Sequence, residues 1–117
     1  MYHKPKTRAH KKKKRFIGRV PTETQIDEDI VKKQRVRGGS VKNKLVKAKT
    51  ANVLVNGAHM KCEITKVDDN PSSRDLTRRN IITKGAVLEV KTAEGKAIKA
   101  KVTSRPGQDG CINATKV

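Results

Sequence analysis

The stretch Ala51-Asn52-Val53-Leu54-Val55-Asn56-Gly57-Ala58-His59-Met60-Lys61-Cys62-Glu63-Ile64-Thr65 decides the fold. Ala58, Met60, Cys62 and Ile64 alternate with His59, Lys61, Glu63 and Thr65, so an extended chain here presents one apolar and one wetted face. Asn56-Gly57 favours the positive backbone dihedrals of a two-residue turn. Residues 51–55 and 59–67 are therefore expected to form the arms of a hairpin.

Working outward, Ala86, Leu88 and Val90 alternate with Val87, Glu89 and Lys91, and Ile98, Ala100 and Val102 alternate with Lys99 and Lys101. Thr92-Ala93-Glu94-Gly95 between them offers the turn of a second hairpin. Ser104-Arg105-Pro106-Gly107-Gln108-Asp109-Gly110 cannot continue a strand, because Pro lacks a donor and Gly permits left-handed geometry; residues 111–117 then return as a last strand. Asn70-Pro71-Ser72-Ser73 resembles a capped helix start with Pro in the first turn, and residues 74–79 supply one or two turns. The expected class is mainly β: a small antiparallel barrel-like domain with one short helix and a basic extended N-terminal arm. The arm spans residues 1–20 and the β domain residues 21–117.

Charge sets the class of partner. The chain has 117 residues, 29 Lys or Arg and 11 Asp or Glu, a net charge of +18. Nine of the cations and none of the acids lie in residues 1–20, centred on Lys11, Lys12, Lys13, Lys14 and Arg15. Residues 1–49 hold a net +13 and residues 50–117 a net +5, so the first half reads mainly as contact surface and the second mainly as fold. Self-repulsion of that size calls for a polyanion, and nucleic acid supplies one through phosphate contacts and counterion release. Hydrophobic residues make up 33% of the chain, below the ~45–50% of a typical domain. The core must then be thin and built from Val, Ile, Leu, Met and Ala, with some segments ordering only on a partner. Cys62 and Cys111 lie in apolar stretches without metal-ligand spacing and read as two buried, reduced thiols. No apolar run approaches the ~20 residues that span a bilayer, and the basic start lacks the apolar stretch of a signal peptide, so the expected location is cytoplasmic.

Catalysis finds little support, because a nucleophile needs a base and an orienting group in reach. His3 and His10 lie in the arm and His59 on a polar strand face. Asp27-Glu28-Asp29 and Asp68-Asp69 read as solvated loops, and no cofactor, metal or small-molecule substrate is expected. The basic groups are more informative. Arg35-Val36-Arg37-Gly38-Gly39 sets two forked donors beside a glycine pair, which is either a strand-to-strand turn or a place where backbone approaches phosphate. Arg19, Lys42 and Lys44 flank that segment; Arg74, Arg78, Arg79 and Lys84 surround the expected helix. Arg105 sits in a loop stiffened by Pro106 and open to close approach at Gly107 and Gly110. Aromatic platforms for splayed bases are missing, so recognition should be of backbone and shape.

Asn70-Pro71, Arg78-Arg79-Asn80-Ile81-Ile82-Thr83-Lys84-Gly85-Ala86 and Val102-Thr103-Ser104-Arg105-Pro106-Gly107-Gln108-Asp109-Gly110 closely resemble the eight-e family of small-subunit ribosomal proteins shared by archaea and eukaryotes. Gly18-Arg19-Val20-Pro21-Thr22-Glu23-Thr24 and Val36-Arg37-Gly38-Gly39 match the family's other segments in the same order, and the short length is similar to its archaeal members. The resemblance implies a non-enzymatic constituent of the cytoplasmic ribosome: a β body seated on small-subunit ribosomal RNA beside neighbouring small-subunit proteins, its arm threaded among RNA helices. Charge alone also fits a ribosome assembly factor with a related C-terminal domain, or a chromosomal DNA-binding protein.

Residues 1–15 carry eight cations. If about half meet phosphates, deleting them should reduce the slope of log affinity for RNA against log salt by about 3, at ~0.7–0.9 per contact, with the β domain still folded. Salt titration of the truncated chain checks this; an unchanged slope refutes it.

Overall fold

Asn56 (φ 49°) and Gly57 (φ 81°) both adopt positive φ, as the tightest hairpin turn requires. They join β4 (Thr50–Val55) to β5 (Ala58–Asp69), with Val55 opposite Ala58 and Ala51 opposite Cys62. The structure is a computed structural model that describes residue 3 and residues 12–117. Tyr2, His10 and Lys11 lie outside the described residues, as do most arm positions before Lys12.

β5 runs beyond the expected end because it is bulged twice. Ile64 faces Val90, Lys66 faces Glu89, Val67 faces Leu88 and Asp69 faces Val87, leaving Thr65 and Asp68 outside the pairing. Each extra residue reverses the in-out phase of the strand. Ile64 and Val67, three positions apart, are consequently both buried. The second hairpin forms as expected from β6 (Val87–Lys91) and β7 (Ala97–Val102), with Leu88 opposite Ala100. Its turn is closed by the Thr92 N–H donating to the Lys96 carbonyl at 2.9 Å.

β8 (Asn113–Lys116) completes a closed barrel ordered β4-β5-β6-β7-β8. It runs antiparallel to β7 and parallel to β4. One parallel seam is unavoidable, because five strands of alternating direction cannot close without bringing two of the same direction together. The barrel is thus antiparallel except at its seam.

The first half of the chain contributes more to the fold than its charge suggested. β1 (Gln25–Ile26), β2 (Ile30–Arg35) and β3 (Val41–Ala48) form a second sheet in the order β1-β3-β2. Its parallel β1–β3 and antiparallel β2–β3 pairings place Leu45 and Ala48 in the same core as the barrel. A register shift at Ile30/Val31 leaves Val46 unpaired. That phase change buries both Leu45 and Ala48 and hides the alternation of a Lys-rich strand.

Among the described residues three short helices replace the single one expected. α2 (Arg74–Arg78) starts from Ser73, whose Oγ accepts the Asp75 N–H at 3.2 Å, so Pro71 precedes the cap instead of standing in the first turn. α1 (Lys14–Ile17) and α3 (Pro106–Asp109) are single turns, too short to show helical periodicity. The segment 104–110, expected as a loop, holds α3.

The core is wholly aliphatic apart from Cys62, and no buried side-chain polar atom among the described residues lacks a partner. Asn70 is the clearest case. Its Nδ2 donates to Thr83 Oγ1 at 2.9 Å and to the Ile81 carbonyl, its Oδ1 accepts the Ser72 N–H, and its own N–H donates to Thr77 Oγ1 at 2.9 Å. Both cysteines are free thiols. Cys62 is buried, but Cys111 is only half-buried, contrary to expectation. Burial pushes the Cys62 thiol pKa up, which keeps it protonated. A thiol reagent at neutral pH should therefore modify Cys111 and spare Cys62 until denaturant is added; mass mapping of the labelled chain checks this, and equal labelling of both would contradict it.

Candidate nucleic-acid interface

The loop that carries Arg105 is held on both sides by its own chain. A Cβ on Gly107 would lie 3.2 Å from Thr22 Cβ, and one on Gly110 (φ 74°) only 2.7 Å from Asn43 Cβ. Glycine is needed at position 110 for both conformation and space. The expected close approach of phosphate at these two glycines is thus corrected, because protein already occupies them. Within the loop Asp109 Oδ2 accepts the Arg105 N–H at 2.9 Å, and Lys42 Nζ donates to Gln108 Oε1 at 2.7 Å. The backbone around Arg105 is pinned while its side chain stays exposed.

This docking creates a groove of about 510 Å³ between residues 19–22, β3, the 82–84 segment and the Arg105 loop. Arg19, Lys44, Lys84 and Arg105 line it. A contiguous hollow of about 240 Å³ shares Arg19 and Lys44 and adds Lys32. No Asp or Glu lines either one. Lys32 stands directly opposite Lys44 in the β2–β3 register, and Gln34 opposite Lys42, so these side chains share one face. Arg19 reaches the Arg35 carbonyl at 3.4 Å. No Lys or Arg of the groove pairs with a carboxylate among the described residues.

Elsewhere most carboxylates are engaged. Asp27 pairs with Lys47, Glu63 with Lys49, Glu89 with Lys66, Asp68 with Lys99, and Glu94 with Lys96. The Lys47 ammonium holds Asp27 below the usual carboxylate range, and Lys99 does the same to Asp68, each chiefly by donating a hydrogen bond. Asp29 accepts the Lys49 N–H at 2.7 Å and also the Thr50 hydroxyl, tying the acidic patch to the β3–β4 corner. The barrel wall is close to neutral and the groove is not.

The other candidate residues fall elsewhere. Gly38 (φ 85°) and Gly39 (φ 80°) form a 3-10 turn (Arg37–Gly39) between β2 and β3. Nothing packs within 4 Å of their would-be Cβ atoms, so the turn conformation accounts for the glycine pair. Arg35 and Arg37 are exposed beside it. Arg74 and Arg78 are exposed on α2, outside the groove lining. The Arg79 guanidinium is engaged by Asp75 at 3.2 Å and by Glu23, which raise its pKa. Lys12, Lys13, Lys14 and Arg15 are exposed, with Arg15 4.9 Å over the Phe16 ring; Lys11 lies outside the described residues. Sequence reasoning missed Lys32, which only the β2–β3 register brings to Lys44.

Among the described residues no group of three or more His, Cys, Asp or Glu converges as a metal site, and no helix is long and apolar enough to cross a membrane. The fold and site together define a small basic β-barrel protein with one un-neutralised cationic groove. Residues 4–117 match the family model described as Ribosomal protein S8e. The chain is 44% identical over 108 residues to the small ribosomal subunit protein eS8 of Nanoarchaeum equitans (strain Kin4-M), covering 91% of this chain and 81% of that relative. Identity is 48% over 110 residues to the protein of the same name from Methanococcus maripaludis (strain C5 / ATCC BAA-1333), covering 92% and 82%. The chain belongs to the S8e family of ribosomal proteins and is a structural, non-enzymatic component of the small ribosomal subunit.

The opposed Lys32 and Lys44 should repel in the free protein. Lys32→Gln is expected to raise stability by up to about 1 kcal/mol at low salt, and the gain should shrink in 1 M salt as the repulsion is screened. Urea midpoints at the two salt concentrations measure it. A less stable variant at low salt would mean that the pair is held apart or stacked favourably.

Proposed function

We propose that the chain binds and stabilises small-subunit ribosomal RNA by seating phosphates along the Arg19–Lys32–Lys44–Lys84–Arg105 groove. Residues 21–117 form the seat, and residues 1–20 continue the cationic track outward among RNA helices. The groove's own composition carries this reading: its cations meet no carboxylate among the described residues, while most carboxylates elsewhere pair with a cation or accept a backbone N–H.

The groove cations divide between two jobs. Arg105 and Arg19 present planar forks suited to bidentate phosphate contacts, whereas Lys32, Lys44 and Lys84 act as point charges that tolerate shifts in the RNA backbone. The exposed cations of the Arg37 turn and of α2, Arg74 and Arg78, extend the positive surface on either side. Arg79 contributes through its intramolecular pairs. A membrane or a small-molecule substrate has no part in this function.

Arg105 is the residue to test, because its backbone is fixed independently of its side chain. Arg105→Ala should weaken binding to small-subunit ribosomal RNA by about 1–3 kcal/mol, the scale of a charged hydrogen-bonding group, with the unfolding midpoint unchanged. Lys96→Ala, at an ion pair beyond the groove, should leave affinity nearly as it was. Filter binding to the transcribed RNA, with thermal melts of both variants, decides the matter. Equal losses from the two substitutions would show that only overall charge counts.

A further inference from the structure

Before Thr24 the described chain makes no backbone hydrogen bond to the β domain; the first is the Ile82 N–H donating to the Thr24 carbonyl at 2.9 Å. Thr24 is buried, and its hydroxyl donates to the Leu45 carbonyl at 2.8 Å. One residue earlier, Glu23 meets Arg79, whose second guanidinium nitrogen binds Asp75 at 3.2 Å. One residue earlier again, Thr22 packs against Gly107 of the Arg105 loop. Residues 22–24 thus form a strap across three separate segments: β3, the end of α2 and the loop before β8. Residues 19–21, which border the groove, lead into this strap.

Glu23 is the single carboxylate in residues 1–26. It stands three residues from Pro21's neighbour Val20 and four from Arg19, in the segment that borders the groove. A carboxylate there opposes phosphate binding, and an exposed ion pair adds little to fold stability. Its cost is offset only if it has another task. We propose that Glu23 and Arg79 are positioning residues: their ion pair, backed by Asp75, pins the strap so that Arg19 and the arm leave along the cationic groove. The inference rests on the groove reading above but concerns what orients the groove's N-terminal wall.

Charge and positioning predict opposite signs, which makes the pair testable. Glu23→Gln raises the net charge by one, so electrostatics alone would tighten RNA binding. Loss of positioning weakens it. Glu28→Gln makes the same charge change at a carboxylate that has no ion pair among the described residues, and serves as the control. With transcribed small-subunit ribosomal RNA as probe, Glu23→Gln is expected to lower affinity about 3- to 10-fold while Glu28→Gln keeps or slightly raises it. In the free protein, trypsin should cut after Arg19 several-fold faster in Glu23→Gln than in the parent or in Glu28→Gln, with thermal midpoints close together. Arg79→Lys keeps the net charge but loses the fork that spans two carboxylates, and should show the same two effects more weakly.

If Glu23→Gln binds as tightly as Glu28→Gln, the positioning role is wrong, whatever trypsin does. If Arg105→Ala leaves affinity intact while Glu23→Gln lowers it, the strap orients the arm and the groove reading is the one that fails.

Discussion

Position 110 admits no side chain, and the arrangement of the groove follows from that. The chain crosses Asn43 so closely that a Cβ would fall 2.7 Å from the Asn43 Cβ, at a backbone φ of 74°. This contact presses the Arg105 loop against β3 and thereby joins the barrel to the three-stranded sheet. The same loop meets Thr22 through Gly107 on its other side. Cations from sequence-distant segments, Arg19, Lys44, Lys84 and Arg105, share one groove because the loop is wedged between them.

A second constraint acts through charge. The protein carries 29 cations and 11 carboxylates on a core without aromatic side chains, so it cannot tolerate much repulsion near its structural strands. Several of its carboxylates meet lysines: register sets Glu89 opposite Lys66 across β5 and β6, and Asp68 reaches Lys99 on β7. Exposed pairs of this kind add little individually. Their greater effect is on distribution, since they remove positive potential from the wall and leave it concentrated along the groove. The opposed Lys32 and Lys44 are the residue of that partition: a repulsion kept in the free protein and relieved when an anion lies between them.

The strap connects the two features. The aliphatic core fixes the barrel, Gly110 fixes the loop, and Thr24 fixes the chain's entry into β1, but among the described residues those from 12 to 21 reach the β domain through side-chain contacts alone. An arm with little apolar surface of its own cannot offset its ordering entropy. In our reading a few contacts at its root limit where it can go, and RNA phosphates complete the ordering.

Much of the barrel was legible in the sequence because strand alternation and turn chemistry are local. Asn56-Gly57 specified its turn, Leu88 and Val90 against Ala100 and Val102 specified a hairpin, and Cys62 and Ile64 showed the buried face. Motif resemblance pointed to the family, and composition pointed to a polyanion. What stayed hidden was everything set by pairing between distant segments. Bulges at Thr65 and Val46 broke the period that would have revealed the whole of β5 and β3. The parallel seam came from the number of strands, which no single strand records. Glycines 107 and 110 looked free for a ligand until Thr22 and Asn43 were seen against them. Lys32 and Arg79 were two cations among 29 until register set one beside Lys44 and folding set the other between Glu23 and Asp75. Local backbone preference and side-chain period are written residue by residue, so the sequence by itself determined most of the barrel strands and the sign of the partner; the second sheet, and which charges face each other, depend on contacts between segments far apart in the chain, and only the tertiary structure decided those.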